Sequence, residues 1–155
     1  MAEEPALDCA GEESVDHSAF VGFDVMRQDG TFVSEIGPFW RRRDPGIATI
    51  YLDAERRHCN PNGIVHGGVL MTLMDLALGT CIESALDLVP DRSNHSVTIQ
   101  MSVNMVSSAR PGDRLVATAS IERVGRKVAF SRGEIRVGDR IVMSGSGVFR
   151  VPEPG

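Results

Sequence analysis

The hydrophobic positions follow two rhythms, one before residue 90 and one after it. From about His66 to Leu86 the apolar residues, among them Leu70, Leu73, Met74, Ala77 and Leu78, surround a helical axis instead of forming one stripe. A helix that is apolar all round belongs in a core. After a loop over Asp87 to His95, four β-branched and partly alternating runs follow: Val97–Val106, Arg114–Val124, Val128–Val137 and Arg140–Val151. Turn signals separate them: Ala109-Arg110-Pro111-Gly112-Asp113, Gly125-Arg126 and Gly138-Asp139.

Upstream of the helix, Phe39–Arg43 and Ile47–Leu52 flank Asp44-Pro45-Gly46, which predicts a hairpin. Ser18 to Ile36 has no clean period and reads as a short helix plus a connection. Residues 1–17, rich in glutamate and broken by proline and glycine, read as a mobile acidic tail, leaving 18–155 as a single domain. The pattern predicts an α+β fold in which an antiparallel meander wraps around one long central helix.

Composition narrows the picture further. The 155 residues suffice for one domain, which would bury about 70% of the surface that the unfolded chain exposes. A net charge of -5 argues against a nucleic-acid partner. Cys9, Cys59 and Cys81 are odd in number and widely spaced, which disfavours a disulfide framework and a zinc site and fits a reducing cytoplasm. The first 18 residues lack the basic start and apolar stretch of a secretory signal. Val69 to Ile82, interrupted by Asp75, is short for a membrane span.

The candidate chemistry sits where loop meets helix. Asn60-Pro61-Asn62-Gly63-Ile64-Val65-His66-Gly67-Gly68 leads into the helix, and Asp75 is the only charge for many residues beyond it. An ionised carboxylate in such surroundings costs several kcal/mol unless it has partners or faces a cleft. Asp75 is therefore a candidate general base, or a nucleophile; the alternative is a structural anchor. His66, Gly67 and Gly68 open the helix, where backbone N–H groups lack partners and the helix dipole favours negative charge. That suits a developing oxyanion, though two glycines can also just permit a tight helix entry.

Spacing adds a constraint. Eight residues separate Gly67 from Asp75, roughly 12 Å along a helix and some 80° around it. Both cannot reach one carbonyl carbon within about 3.5 Å from the same helix. If both act in one reaction, the glycine of one subunit must face the aspartate of another, which predicts a homodimer with composite sites. His58, Cys59 and His66 also invite a metal or Cys-His reading, but no fourth ligand is suitably spaced.

His58 to Leu70, Asp75, Val97-Thr98-Ile99 and Ala109 to Asp113 together resemble hotdog-fold acyl-CoA thioesterases of the phenylacetate-degradation, PaaI-like, type. The resemblance runs from roughly Gly37 to Val151. It implies hydrolysis of an acyl- or aryl-CoA thioester, with Gly67 N–H as the main oxyanion donor. Asn60 would hold the thioester carbonyl or the attacking water, and Thr98 would assist the acid or water. His66 would have a lesser orienting role, and Gly68 would contact substrate. No metal or redox cofactor is implied, coenzyme A being part of the substrate. Arg126 and Lys127 are candidates for its phosphates. A dimer of dimers is the further implication. Rival readings are a non-catalytic acyl-CoA binding or sensing module and a hotdog enoyl- or hydroxyacyl-CoA hydratase.

Overall fold

The computed structural model describes residues 21–26, 30–88 and 95–152. The predicted acidic tail, residues 1–17, lies outside them. Strand β1 (Asp24–Val25), helix α1 (Phe32–Ile36), β2 (Trp40–Asp44) and β3 (Ile47–Asp53) precede a 3-10 turn over Arg56–His58. Helix α2 (Gly67–Ala85) follows, and then β4 (Val97–Met105), β5 (Arg114–Val124), β6 (Val128–Val137) and β7 (Arg140–Arg150). One antiparallel sheet in the order β1-β2-β3-β5-β6-β7-β4 curves around α2. This is the hotdog arrangement that the pattern and the resemblance predict.

The β2–β3 hairpin closes at Pro45-Gly46, with Asp44 opposite Ile47 and Gly46 at φ 71°. A positive φ at that turn is cheap only for glycine or a few polar residues. Along β3, Ala48, Ile50 and Leu52 are buried in the core with Leu115, Ala117 and Ala119 of β5, while α2 contributes Leu70, Leu73, Met74, Ala77, Leu78 and Ile82. On the other face of the sheet Tyr51 is also fully buried, stacked on Trp40 and contacted by Phe23.

Two features depart from the sequence reading. β4 does not continue the meander. It pairs with β7, not with β5, and so forms an open edge of the sheet. Nor is α2 apolar all round: Gly68, Thr72, Asp75, Gly79 and Glu83 fall on one stripe that the chain's own sheet leaves exposed or half-buried. The helix itself spans Gly67–Ala85, within a residue of the expected His66 to Leu86. Its 19 residues are long and apolar enough to cross a membrane by length and composition, yet eight of them are buried here, as in a core helix.

Candidate active site

The Asn60 loop is a compact, internally bonded turn. Asn60 Oδ1 accepts from Asn62 N–H at 2.9 Å, Asn60 N–H donates to Ile64 O, and Gly63 N–H donates to Asn60 O. The side-chain oxygen is thus committed to the loop, which leaves the Asn60 NH2 as the group able to donate outward. Val65 pairs with Cys59 in an isolated bridge and donates to Ala109 O, and His66 N–H donates to His58 O. These bonds fix where the helix begins.

At that start the two glycines differ. His66 is the N-cap, and its Nδ1 accepts from Gly68 N–H at 2.9 Å. Gly67 N–H takes no acceptor among the described residues. Only Gly67 therefore presents an uncommitted donor at the positive end of α2. His66 is exposed, and its capping bond uses one ring nitrogen. Met105 lies alongside: a Cβ built on Gly67 would come within 3.2 Å of its Cε.

Asp75 lies two turns on, half-buried and not enclosed as its apolar surroundings suggested. Thr98 Oγ1 donates to Asp75 Oδ1 at 2.7 Å. A bulge makes that contact possible. Thr98 pairs with Phe149 and Gln100 with Val148, so Ile99 has no opposite residue. The extra residue shifts the alternation by one. Thr98 consequently shares the face that Met101 and Val103 turn towards the core, instead of pointing to the outer face as strict alternation requires.

A groove of about 270 Å³ runs from Asp75 past Gly79 to Glu83, walled by Leu76, Ser96, Thr98 and Phe149. Glu83 Oε1 meets His95 Nδ1 at 3.2 Å and accepts from Ser96 Oγ at 3.5 Å. Nothing in the sequence reading singled out Glu83, His95 or Ser96; the i, i+4 spacing of Asp75, Gly79 and Glu83 was the available signal.

The remaining candidates form no hydrogen bond with Asp75 among the described residues. His58 is buried: its Nδ1 accepts from Glu55 N–H at 2.9 Å, and its Nε2 is 2.8 Å from Ile36 O. It ties the 3-10 turn to α1. Cys59 points at Glu55 O, and Cys81 is buried with its thiol pushed up to about 12 by desolvation. Arg126 and Lys127 are exposed in the β5–β6 turn. They sit at the end of the sheet where Val97 and Val128 both pair with Arg150, the end that also carries Thr98. Arg150, which sequence reasoning passed over, joins them as an exposed base.

A helix-start N–H donor, a polar loop amide and a threonine-held carboxylate on a hotdog scaffold define a class of acyl-transfer hydrolase sites. Comparison with known proteins shows the family to which the chain belongs. Residues 62–144 match the Thioesterase superfamily family model. The chain is 31% identical to the "Putative esterase PA0474" of Pseudomonas aeruginosa, over 84% of this chain and 96% of that one. It is 28% identical to mouse acyl-coenzyme A thioesterase 13, over 71% of this chain and 69% of that one. The Escherichia coli PaaI structure shares the fold at a TM-score of 0.68 and 20% identity, covering 77% of this chain and 83% of that one. The chain belongs to the thioesterase superfamily.

Proposed function

We propose that this chain hydrolyses acyl- or aryl-CoA thioesters and does so as a homodimer with composite sites. The observation that carries the reading is the Thr98–Asp75 bond, which occupies one carboxylate oxygen of a residue that lines the groove and leaves the other without a partner among the described residues. The acyl-coenzyme A thioesterase among its relatives supports the substrate class.

Asp75 takes a proton from water as the water oxygen attacks the thioester carbonyl carbon. Gly67 N–H and the Asn60 amide hydrogen-bond the carbonyl oxygen as it gains negative charge. Collapse of the tetrahedral intermediate breaks the C–S bond, and the proton that Asp75 took passes to the leaving sulfur, so that coenzyme A leaves as the thiol and Asp75 is again a carboxylate. The carboxylic acid is the other product. Thr98 holds Asp75 so that one oxygen is aimed at water. No metal or redox step is needed.

Three features support the dimer. β4 is a nine-residue open edge with neither charge nor proline, although natural sheets usually protect such an edge with one or the other. Val97, Ile99 and Met105 are exposed on it. The half-covered stripe of α2 lies beside it. Thr98 near one end touches Asp75, whereas Met105 at the other end lies by Gly67. An antiparallel pairing of β4 with a second copy, centred near its middle, brings the Thr98 end of one to the Met105 end of the other. The second copy's Gly67 then approaches Asp75, as the eight-residue spacing requires. A dimer of dimers has a candidate surface in the outer sheet face, where Ser102, Thr118, Ser144 and Ser146 line a broad shallow groove.

Arg126 and Lys127, with Arg150, supply positive charge near the site for the CoA phosphates. Free thiols at Cys59 and Cys81 support a reducing, cytoplasmic setting. Incubating the purified protein with a panel of CoA thioesters, and following released thiol, tests the activity. No release from any of them would contradict it.

A further inference from the structure

We infer that the groove between α2 and the start of β4 receives the acyl group, and that Glu83 with His95 selects acyl groups carrying a hydroxyl at their far end. This rests on the thioesterase reading above and deepens it.

The groove begins at the reacting centre. Asp75 forms one end of it and Glu83 the other, with Gly79 between them on the same helical stripe. Gly79 keeps the floor open: a Cβ there would lie 3.4 Å from the Phe149 ring and 3.6 Å from Ser96 Oγ. Glycine inside a helix costs about 1 kcal/mol relative to alanine, so the room it leaves needs a reason. Access for an acyl chain is such a reason.

The far end is polar where an acyl pocket for a plain alkyl chain would be apolar. The Glu83 side chain is only 12% exposed, yet it sits on the core helix without a lysine or arginine against it among the described residues. Both of its recorded contacts, from His95 and Ser96, fall on Oε1. Oε2 is uncommitted among the described residues and can accept a hydrogen bond from a ligand. An apolar tail arriving there would strip water from Oε2 without replacing its hydrogen bond, whereas a hydroxyl would replace it.

Length fits a short acyl group. Asp75 and Glu83 are eight residues apart, roughly 12 Å along the helix. Their side-chain ends, about 80° apart around a helix about 11 Å across, lie about 14 Å from each other. The water on Asp75 and the carbonyl carbon take up about 5 Å and the terminal hydrogen bond about 3 Å, which leaves about 6 Å. A short chain with a terminal hydroxyl spans that distance.

The test compares ω-hydroxyhexanoyl-CoA with heptanoyl-CoA, in which a methyl replaces the hydroxyl. Wild-type kcat/KM should favour the hydroxylated thioester by at least about tenfold, since a site built to bond a hydroxyl discriminates strongly against its absence. Glu83→Leu should invert the ratio. Glu83→Gln, which keeps an acceptor, should retain the direction of preference and also serves as a control for folding. Equal hydrolysis of both by wild type, or a ratio unchanged in Glu83→Leu, overturns this inference and leaves the thioesterase reading standing. Hydrolysis of neither, when a wider panel of CoA thioesters is also untouched, overturns both.

Discussion

Gly67→Pro removes the proposed oxyanion donor at a place where the fold tolerates the change. Gly67 is the first residue of α2, the helical position that proline favours, because no intrahelical bond uses that N–H. The preceding residue, His66, already holds φ -63° and ψ 136°, the extended conformation that proline imposes on its predecessor. An added Cβ would crowd only Met105 Cε at 3.2 Å, the end of an exposed and flexible side chain. Folding stability should therefore change by less than about 1 kcal/mol. Deleting one oxyanion donor, by contrast, typically lowers kcat by about 10²- to 10³-fold. Gly67→Ala is the matched control, since it adds the same Cβ and keeps the N–H. Thiol release measured for both variants, alongside urea unfolding, separates the two effects. A Gly67→Pro enzyme within about threefold of Gly67→Ala would refute the assignment of this donor.

Other outcomes follow from the same geometry. Asp75→Asn should keep its fold and lose about 10²-fold or more in kcat, as expected for a lost general base; unchanged turnover would remove Asp75 from the mechanism. Thr98→Val deletes the 2.7 Å bond to Asp75 and should lower kcat by about 10- to 100-fold, from a hydrogen bond to a charged group of about 1.5–3 kcal/mol; a change confined to KM would place Thr98 in binding. Cys81 predicts an alkaline effect on stability. Its folded-state thiol is pushed up to about 12 by burial, so between about pH 9 and that value the unfolded chain releases a proton that the folded chain retains. Stability should thus fall as pH rises through this window, by up to about 1.4 kcal/mol per pH unit from this group. Urea unfolding at pH 8 and 10.5 should show that slope in wild type and a shallower one in Cys81→Ala; identical slopes would contradict it.

The strong periodicities were legible in the sequence. The core helix, the hairpin at Pro45-Gly46 and the four later strands fall within a residue or two of where pattern and turn residues put them. What stayed hidden were relations between segments. That β4 leaves the meander to pair with β7 depends on which strand edges meet in space, and a run of β-branched residues carries no such address. The aim of Thr98 depends on a one-residue bulge at Ile99, which reverses the alternation that the sequence suggests. Apolar residues so dominate α2 that the pattern shows a helix apolar all round and hides the one face formed by Gly68, Thr72, Asp75, Gly79 and Glu83. His58 looked like possible chemistry because imidazole serves both catalysis and packing; only its two backbone partners distinguish them. The spacing of Gly67 and Asp75, however, contained the argument for two subunits without any coordinates.

Subunit mixing tests that argument most directly. Asp75→Asn and Gly67→Pro homodimers should each be nearly inactive. After the two are unfolded together and refolded in equal amounts, half of the dimers should be mixed. Each mixed dimer then holds one site with both residues intact, so about a quarter of wild-type activity should return. Recovery no greater than the sum of the two separate variants, with mixed dimers shown to be present, would contradict a site shared between subunits.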